Sequence, residues 1–313
     1  RDVGKKLGGN SLFAFEASLL KGLAKENAKE LWEFLSDGKI KKLKIRSIGN
    51  AVGGGLHAKG IKGIKPDFQE FLFISKGRNF EENVKLNEIA YIEAHKYLKS
   101  WKRDYEGAWE TNESNERVLN ILDQVKEFFK YKKIKIDIGI DIAASSFFKK
   151  EYNYKNPERK FTTKEQIDYL IGLIKNYNIL YIEDPLNEDD FSGFSNLLKK
   201  VNKTGCLIVG DDLTTTNPKR FIRAIKNKSI NAIIIKPNQI GSLLKFKEVI
   251  EIARRHNIKT IISHRAGETK DYTIADLAVG FNCDFIKTGI HGRVRKSKLK
   301  RLIKIERDIN NGR

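Results

Sequence analysis

Residues 179–239 read ILYIEDPLNEDDFSGFSNLLKKVNKTGCLIVGDDLTTTNPKRFIRAIKNKSINAIIIKPNQ, and this stretch decides the fold. Three short apolar runs within it end at Glu183, Asp211 and Lys236, and amphipathic sequence lies between them. Continuous apolar runs of this length are typical of parallel strands that are buried on both faces. Their alternation with helical sequence predicts an α/β fold built on a parallel sheet.

The same pattern continues on both sides of this stretch. Apolar runs in IKIDIGIDIAAS, TIISHRAGET and CDFIKTG end at Asp141, at His264 with Arg265, and at Lys287. A parallel barrel gathers its active site at the carboxyl ends of its strands. Six successive strands that end in charged residues therefore predict a barrel enzyme.

Helix signals fill the sequence between the strands and before them. Residues 10–36 have apolar residues at helical spacing and predict a small helical region at the start of the chain. Thr163 with Gln166 resembles a capping box, and Asn217-Pro218 is a typical helix start.

Composition limits the classes of protein to consider. The chain has 313 residues and 40% hydrophobic content, which supports one large barrel, and no apolar stretch approaches the ~20 residues of a membrane span. Glu16 interrupts the apolar run of the first twenty residues, so they do not resemble a signal peptide. Two cysteines are too few for a disulfide framework, and we expect a cytoplasmic location. The chain begins at Arg1 and contains no Met, which leaves a fragment, a processed form or lost residues as alternatives.

The formal charge of +20 allows two interpretations. One is a polyanionic partner such as nucleic acid, and the other is a set of solvated basic helix faces. The lysines are spread along the chain, which favours the second interpretation, and we do not expect nucleic acid as a partner. Residues 291–301, HGRVRKSKLKR, are dense enough to attract phosphate groups, and a positive field would help gather a small anionic substrate.

Carboxylates and lysines at the strand ends suggest metal-dependent chemistry. Asp141, Glu183 and Asp211 would repel one another unless a cation lay between them, and a hard divalent ion such as Mg²⁺ suits oxygen ligands. The alternative is that each acid caps a helix or pairs with a lysine. A lysine such as Lys236 or Lys287 that is buried at a crowded basic site can lose its proton near neutral pH and act as a base. The alternative for each lysine is an ordinary salt bridge to one of these acids.

Two further segments suggest contacts with a ligand. Arg265 and the neighbouring Ser263 suit a phosphate group, whereas a Ser263–His264 hydrolase pair is disfavoured because adjacent residues on an extended chain point in opposite directions. The glycine-rich loop GGGLHAKG lacks the spacing of a nucleotide-binding motif. His57 in that loop is a candidate ligand contact.

These segments together resemble the enolase (phosphopyruvate hydratase) family. From about Lys135 to Glu306 the chain carries DIAASSFF, YIEDPLNEDDFSGF, VGDDLTTTNPKR, IIKPNQIGSLLK and SHRAGETKDYTIADLAVGFNCDFIKTG in the family's order. Before Lys135 the resemblance is thinner and is carried by LGGNSLFAF, GGGLHAKG, FQEF and DYEGAWETN.

The resemblance implies a fold, an activity and a set of site residues. The fold is an enolase-type (β/α)8 barrel with an antiparallel start over residues 44–313, behind a helical remnant of a small N-terminal domain over residues 1–43. The activity is Mg²⁺-dependent, reversible dehydration of the phosphorylated carboxylate 2-phosphoglycerate to phosphoenolpyruvate in glycolysis and gluconeogenesis, and the family implies a homodimer or a higher homo-oligomer. The implied metal ligands are Asp141, Glu183 and Asp211; the implied catalytic residues are the base Lys236, the acid Glu106, its supporting residue Glu70, and Lys287; and the implied substrate contacts are His57, Gln69, Ser263, His264 and Arg265.

The sequence also departs from the family pattern near the acid. Gly53 stands where the family has Asn, Tyr105 replaces the Asp beside Glu106, and Ala108 replaces a Gly. The family's mobile serine-containing loop has no counterpart in these 313 residues. Three functions therefore stay open at this point: an active enolase, a related enzyme that acts on another carboxylate, and a non-catalytic protein that binds a phosphorylated ligand or a partner.

Overall fold

Twelve strands are present in the computed structural model, which describes residues 7–98 and 101–312. They are β1 Arg46–Gly53, β2 Glu70–Lys76, β3 Trp109–Glu110, β4 Lys135–Asp141, β5 Phe148–Lys149, β6 Glu151–Lys155, β7 Glu158–Phe161, β8 Ile179–Glu183, β9 Leu207–Gly210, β10 Ala232–Ile235, β11 Lys259–Ser263 and β12 Phe285–Lys287. Eight of them close into a barrel in the order β1, β2, β4, β8, β9, β10, β11 and β12, and β12 pairs back to β1.

Strand β2 runs opposite to the other barrel strands. It is antiparallel to β1 and to β4, whereas the pairs from β4 through β12 and back to β1 are parallel. The α/β barrel is therefore confirmed, and so is the antiparallel start that the family resemblance implied. The short strand β3 pairs in parallel with the last two residues of β1, and β5 to β7 form a separate small sheet.

Eleven α-helices are seen in the described residues. They are α1 Gly9–Glu26, α2 Leu31–Ser36, α3 Phe80–Tyr97, α4 Asn115–Tyr131, α5 Thr163–Tyr177, α6 Phe191–Val201, α7 Pro218–Lys226, α8 Pro237–Ile240, α9 Leu243–Arg255, α10 Thr273–Gly280 and α11 Arg293–Asn310.

The helix starts follow their capping residues. Asn217 caps α7 by accepting a backbone N–H, with Pro218 as the first helical residue, as predicted. The predicted capping box at the start of α5 is wrong by one residue, because Thr162 and Glu165 form it. Thr162 has extended backbone and its hydroxyl accepts the N–H of Glu165, which makes it the cap and puts Thr163 inside the helix.

Two apolar layers hold the barrel together. Side chains from the strands alone, such as Ile48, Leu72, Tyr181 and Ile234, form a buried cluster that fills the interior. The opposite faces of the strands pack against the surrounding helices in a larger core. Both faces of most strands are thus buried, which is why the strands appear in the sequence as continuous apolar runs.

The two N-terminal helices lie against the barrel. Helix α1 packs on α8 and α9, and α2 packs on α10. Ion pairs also join this region to the barrel helices, with Lys21 Nζ of α1 3.0 Å from Asp271 Oδ2 before α10, and Glu30 Oε2 before α2 2.8 Å from Arg301 of α11. The division into residues 1–43 and 44–313 stays a prediction, and residues 1–6 and Arg313 lie outside the described residues.

None of the helices within residues 7–98 and 101–312 combines the length and the apolar character that crossing a membrane would require.

Candidate active site

The strand register brings three carboxylates to one end of the barrel. Glu70 pairs with Asp141 across β2 and β4, and Asp141 pairs with Glu183 across β4 and β8. Lys287, at the end of β12, reaches all three: its Nζ lies 2.8 Å from Glu70 Oε2, 2.9 Å from Asp141 Oδ2 and 2.7 Å from Glu183 Oε2. Each of these four side chains is buried, with at most 5% of its residue surface exposed.

Burial and mutual repulsion set the charge of this cluster. Burial and the neighbouring Asp141 raise the pKa of Glu183 well above its usual range, and burial also raises the pKa of Asp141. Burial acts the same way on Glu70, but Lys287 and His57 outweigh it and hold the pKa of Glu70 well below its usual range. The pKa of Lys287 lies well above its usual range because the attraction of the three carboxylates outweighs burial. One ammonium thus faces three carboxylates, which leaves negative charge that a cation could offset.

A second lysine–carboxylate pair stands beside this cluster. Lys236 Nζ donates to Asp211 Oδ2, while Asp211 Oδ1 is buried and has no hydrogen-bond partner. Burial lowers the pKa of Lys236, but Asp211 and Glu183 outweigh it and raise the pKa above 10.5. The ion pair with Asp211 is the alternative that the sequence left open for this lysine; in this structure Asp211 and Glu183 favour its charged form, and the role of Lys236 as a base stays a prediction.

Asp184 fixes the turn that carries Asp211. Its carboxylate accepts the backbone N–H of Asp211 at 3.0 Å and that of Asp212 at 2.6 Å. Asp184 itself has a positive φ of 42°, an uncommon conformation for a residue with a side chain. Carboxylate oxygens of Asp184, Asp211 and Asp212 all lie within 4.8 Å of one another, close enough to share a metal ion.

A second group of titratable residues adjoins the first at the barrel mouth and shares Glu70 with it. Glu106 Oε2 is 3.5 Å from His264 Nε2, and its other oxygen is 3.9 Å from Arg295. His57 Nδ1 is 3.3 Å from Glu70 Oε1, so His57, Glu70 and Glu106 form one cluster. Burial would raise the pKa of Glu106, but His264 and His57 outweigh it and lower that pKa.

The remaining predicted contacts lie around these two groups. Gln69 Nε2 is 3.5 Å from Asp141 Oδ2. Ser263 and His264 are buried at the end of β11, whereas Arg265 is exposed. All three line a cavity of about 450 Å³ that is closed on one side by residues of α1. The Ser263 hydroxyl donates to the carbonyl of His264 at 3.0 Å, so it is not paired with the imidazole as a hydrolase nucleophile would be.

Sequence reasoning missed several residues of the site. Asp104, Tyr181, Asp184 and Arg295 all contact a predicted site residue. Asp184 directly follows Glu183 at a strand end, and this position could have identified it as a site residue. Arg295 belongs to the basic segment 291–301, and the expectation that this segment is a phosphate-attracting surface fails in part, because Arg295, Lys298 and Arg301 are buried in α11.

Comparisons with known proteins agree with this geometry. The family model described as "Enolase, C-terminal TIM barrel domain" matches residues 44–312. A protein named enolase from Picrophilus torridus is 39% identical over 97% of this chain and 76% of its own length. Proteins of the same name from Thermoplasma acidophilum and Archaeoglobus fulgidus are each 38% identical over 96% of this chain and 75% of their own lengths.

Proposed function

The chain belongs to the enolase family, and we infer that it is a phosphopyruvate hydratase, a lyase that interconverts 2-phosphoglycerate and phosphoenolpyruvate. The observation that carries the inference is the arrangement at the barrel mouth. Two lysines are ion-paired with strand-end carboxylates, and Glu106 lies with two histidines in the neighbouring cluster. This arrangement provides separate groups for removing a proton and for protonating a leaving hydroxyl.

We propose that Asp141, Glu183 and Asp211 hold Mg²⁺. The donor set fits a hard divalent cation, because the ligands are carboxylate oxygens. Burial and mutual repulsion raise the pKa values of Asp141 and Glu183, and a bound cation would relieve that repulsion. Asp211 Oδ1 is buried without a hydrogen-bond partner, so it is available as a ligand. When bound, a divalent ion supplies positive charge that stabilises the negative charge developing on the substrate carboxylate.

Lys236 is the proposed base for the proton at C2 of the substrate. It stands at the end of β10 and is half-buried, so its Nζ is fixed at the barrel mouth. In the described state its ammonium is paired with Asp211. To act as a base Lys236 must give up a proton. The proton is lost more readily when the carboxylate of Asp211 binds a cation and no longer stabilises the ammonium of Lys236.

Lys287 is the proposed partner of the substrate carboxylate. Proton removal next to a carboxylate creates a second negative charge on its oxygens, and a fixed ammonium stabilises that charge more in the transition state than in the ground state. Three ion pairs fix the position of Lys287 before substrate arrives. The ammonium is therefore already oriented in the folded protein and needs no reorganisation during the reaction.

Glu106 is the proposed acid that protonates the C3 hydroxyl as it leaves; because His264 and His57 lower its pKa, it must take up a proton before it can donate one. We propose that Glu70 and Gln69 support it, and that His57 and His264 line the substrate pocket. Arg265 and Ser263 border the cavity of about 450 Å³, which gives a small phosphate group access to the guanidinium.

A cytoplasmic location and a homo-oligomeric state are further proposals, and the free, buried Cys206 and Cys283 are consistent with a reducing compartment.

Turnover of 2-phosphoglycerate tests the proposal. We expect phosphoenolpyruvate to form in the presence of Mg²⁺, to be followed by ultraviolet absorbance, and to be lost with EDTA. Lys236→Ala should reduce kcat by about 10²–10⁴-fold, the range for removal of a general base. Lys203→Ala, which removes an exposed lysine from the turn between α6 and β9, at the opposite end of β9 from Asp211, is the control and should behave as wild type.

Absence of turnover in folded protein would contradict the proposal. Titration of that protein with 2-phosphoglycerate would then separate the two alternatives. Binding without turnover would favour a non-catalytic phospholigand-binding protein, and no binding would favour a related enzyme that acts on another carboxylate.

A further inference from the structure

Asp104 is a buried carboxyl two residues before the proposed acid Glu106. Its Oδ1 accepts the backbone N–H of Glu106 at 2.8 Å and that of Ala108 at 3.0 Å. The backbone closes the same turn, since Asp104 N–H donates to the Ala108 carbonyl at 2.9 Å and Gly107 N–H donates to the Asp104 carbonyl at 3.0 Å. One side chain therefore fixes the peptide groups on both sides of the turn from which the Glu106 side chain projects.

The second oxygen of this carboxyl depends on a glycine. Asp104 Oδ2 is buried without a hydrogen-bond partner and lies against Gly53. A Cβ at Gly53 would overlap Asp104 Oδ2 and would stand 3.2 Å from Asp104 Cγ. Gly53 is the last residue of β1 and pairs in register with Glu110 of β3, so its backbone is not free to move away.

The bonds that Asp104 makes require an acceptor rather than a negative charge. Burial, together with the nearby Glu106, raises the pKa of Asp104 to about 7, and no ion pair with Asp104 is seen in the described part of the chain. Both hydrogen bonds go to Oδ1, which an asparagine can supply equally well. The surroundings thus tolerate an uncharged side chain of the same shape.

We propose that Asp104 is the positioning residue that aims Glu106 at the substrate, and that Gly53 provides the space its carboxyl occupies. The inference rests on the proposed role of Glu106 as the acid. Two departures from the family pattern lie at this turn: Gly53, which replaces an Asn, leaves room for the Asp104 carboxyl, and Tyr105, which replaces an Asp, lies within the turn that this carboxyl fixes.

Four variants test the proposal: Asp104→Ala, Asp104→Asn, Gly53→Ala and the double variant Gly53→Ala/Asp104→Ala. Two readouts are needed on folded protein with Mg²⁺. The first is kcat and KM for 2-phosphoglycerate, and the second is exchange of the substrate C2 proton in D₂O, followed by NMR. Exchange reports on the base, and kcat reports on the complete dehydration.

Asp104→Ala should lower kcat by about 10²-fold, the cost of misplacing a catalytic group by about 1 Å. KM should change by less than about threefold, and C2 exchange should continue, because the base side is untouched. Asp104→Asn should recover most of the lost kcat. Gly53→Ala should resemble Asp104→Ala, and the double variant should be no worse than Asp104→Ala alone, because both changes remove the same contact.

Three results would each overturn the inference. The first is a wild-type kcat in Asp104→Ala, and the second is an equal loss of kcat in Asp104→Ala and Asp104→Asn. The third is a double variant whose loss of kcat is the product of the losses in Gly53→Ala and Asp104→Ala. If Asp104→Ala does not fold, a kcat near wild type in Asp104→Asn together with a loss of about 10²-fold in Gly53→Ala supports the inference, and a large loss in Asp104→Asn or a wild-type kcat in Gly53→Ala overturns it. Wild-type turnover that is lost in Glu106→Gln but kept in Asp104→Ala would overturn this inference alone. Wild-type protein with neither turnover nor exchange would overturn the proposed function and this inference with it.

Discussion

Replacing Lys287 by methionine removes the one ammonium that three buried carboxylates share. Its Nζ lies 2.7–2.9 Å from Glu70, Asp141 and Glu183, and each of these residues is at most 3% exposed. Removing one partner of a buried ion pair leaves the other charge uncompensated, which typically costs about 3–5 kcal/mol. We expect a loss of this size in the free energy of unfolding, a large fraction of the roughly 5–15 kcal/mol that folded proteins possess.

The loss should also depend on pH, with a sign that follows from the pKa directions. Glu70 has a lowered pKa, so its contribution is present above the unfolded pKa and is lost as pH falls through the folded pKa. Without Lys287 that contribution disappears. Asp141 and Glu183 have raised pKa values, and the loss of Lys287 would raise them further. The folded state then binds protons more tightly than the unfolded state, so the folded variant gains stability as pH falls toward the ordinary carboxyl range. The deficit of Lys287→Met should therefore be larger at pH 8 than at pH 6.

Urea unfolding in EDTA, followed by circular dichroism at both pH values, measures this deficit. Lys130→Met is the matched control, because Lys130 forms an exposed pair with Glu127 at 3.0 Å and should change the unfolding free energy by no more than about 1 kcal/mol. A deficit for Lys287→Met no larger than that of the control at pH 8 would refute the reasoning. A deficit that grows as the pH is lowered would refute the assigned signs.

Three further outcomes follow from the structure. Asp184→Ala releases the turn that carries Asp211, and calorimetric titration should show Mg²⁺ affinity reduced by about 10–100-fold. Because the pKa values of Asp141 and Glu183 are raised, Mg²⁺ binding near neutral pH should release protons, and titrations in buffers of different ionisation enthalpy should give different heats; equal heats would contradict this. Burial raises the pKa of both cysteine thiols to about 12, so a thiol reagent at pH 8 should label neither Cys206 nor Cys283 until urea is added, and rapid labelling of the native protein would contradict their burial.

The barrel could be predicted from the sequence because its signal is local. Each apolar run is a strand, and the charged residue that ends it, such as Glu183 or Asp211, is placed at the barrel mouth by the strand alone. The direction of β2 could not be read in this way, because a buried antiparallel strand has the same apolar appearance as a parallel one. The family resemblance supplied that feature.

Charge states and burial of basic residues depend on partners that are distant in sequence. The sequence left open whether Lys236 is a base or a partner in a salt bridge to a strand-end acid; in the structure it pairs with Asp211, which lies on another strand end, and its pKa is raised. Arg301 appeared to belong to an exposed basic segment, but it is buried against Asp276 and Glu30. The sequence offered three strand-end acids as partners for Lys236 but could not select Asp211 among them, and it gave no signal for the partners of Arg301.

In the proposed reaction, proton removal and hydroxyl loss are divided between Lys236 and Glu106. Exchange of the C2 proton of 2-phosphoglycerate in D₂O, measured beside phosphoenolpyruvate formation in wild type, Lys236→Ala and Glu106→Gln, tests this division most directly. We expect both processes in wild type, neither in Lys236→Ala, and exchange without dehydration in Glu106→Gln. Exchange that persists in Lys236→Ala, or dehydration that persists in Glu106→Gln, would contradict this division.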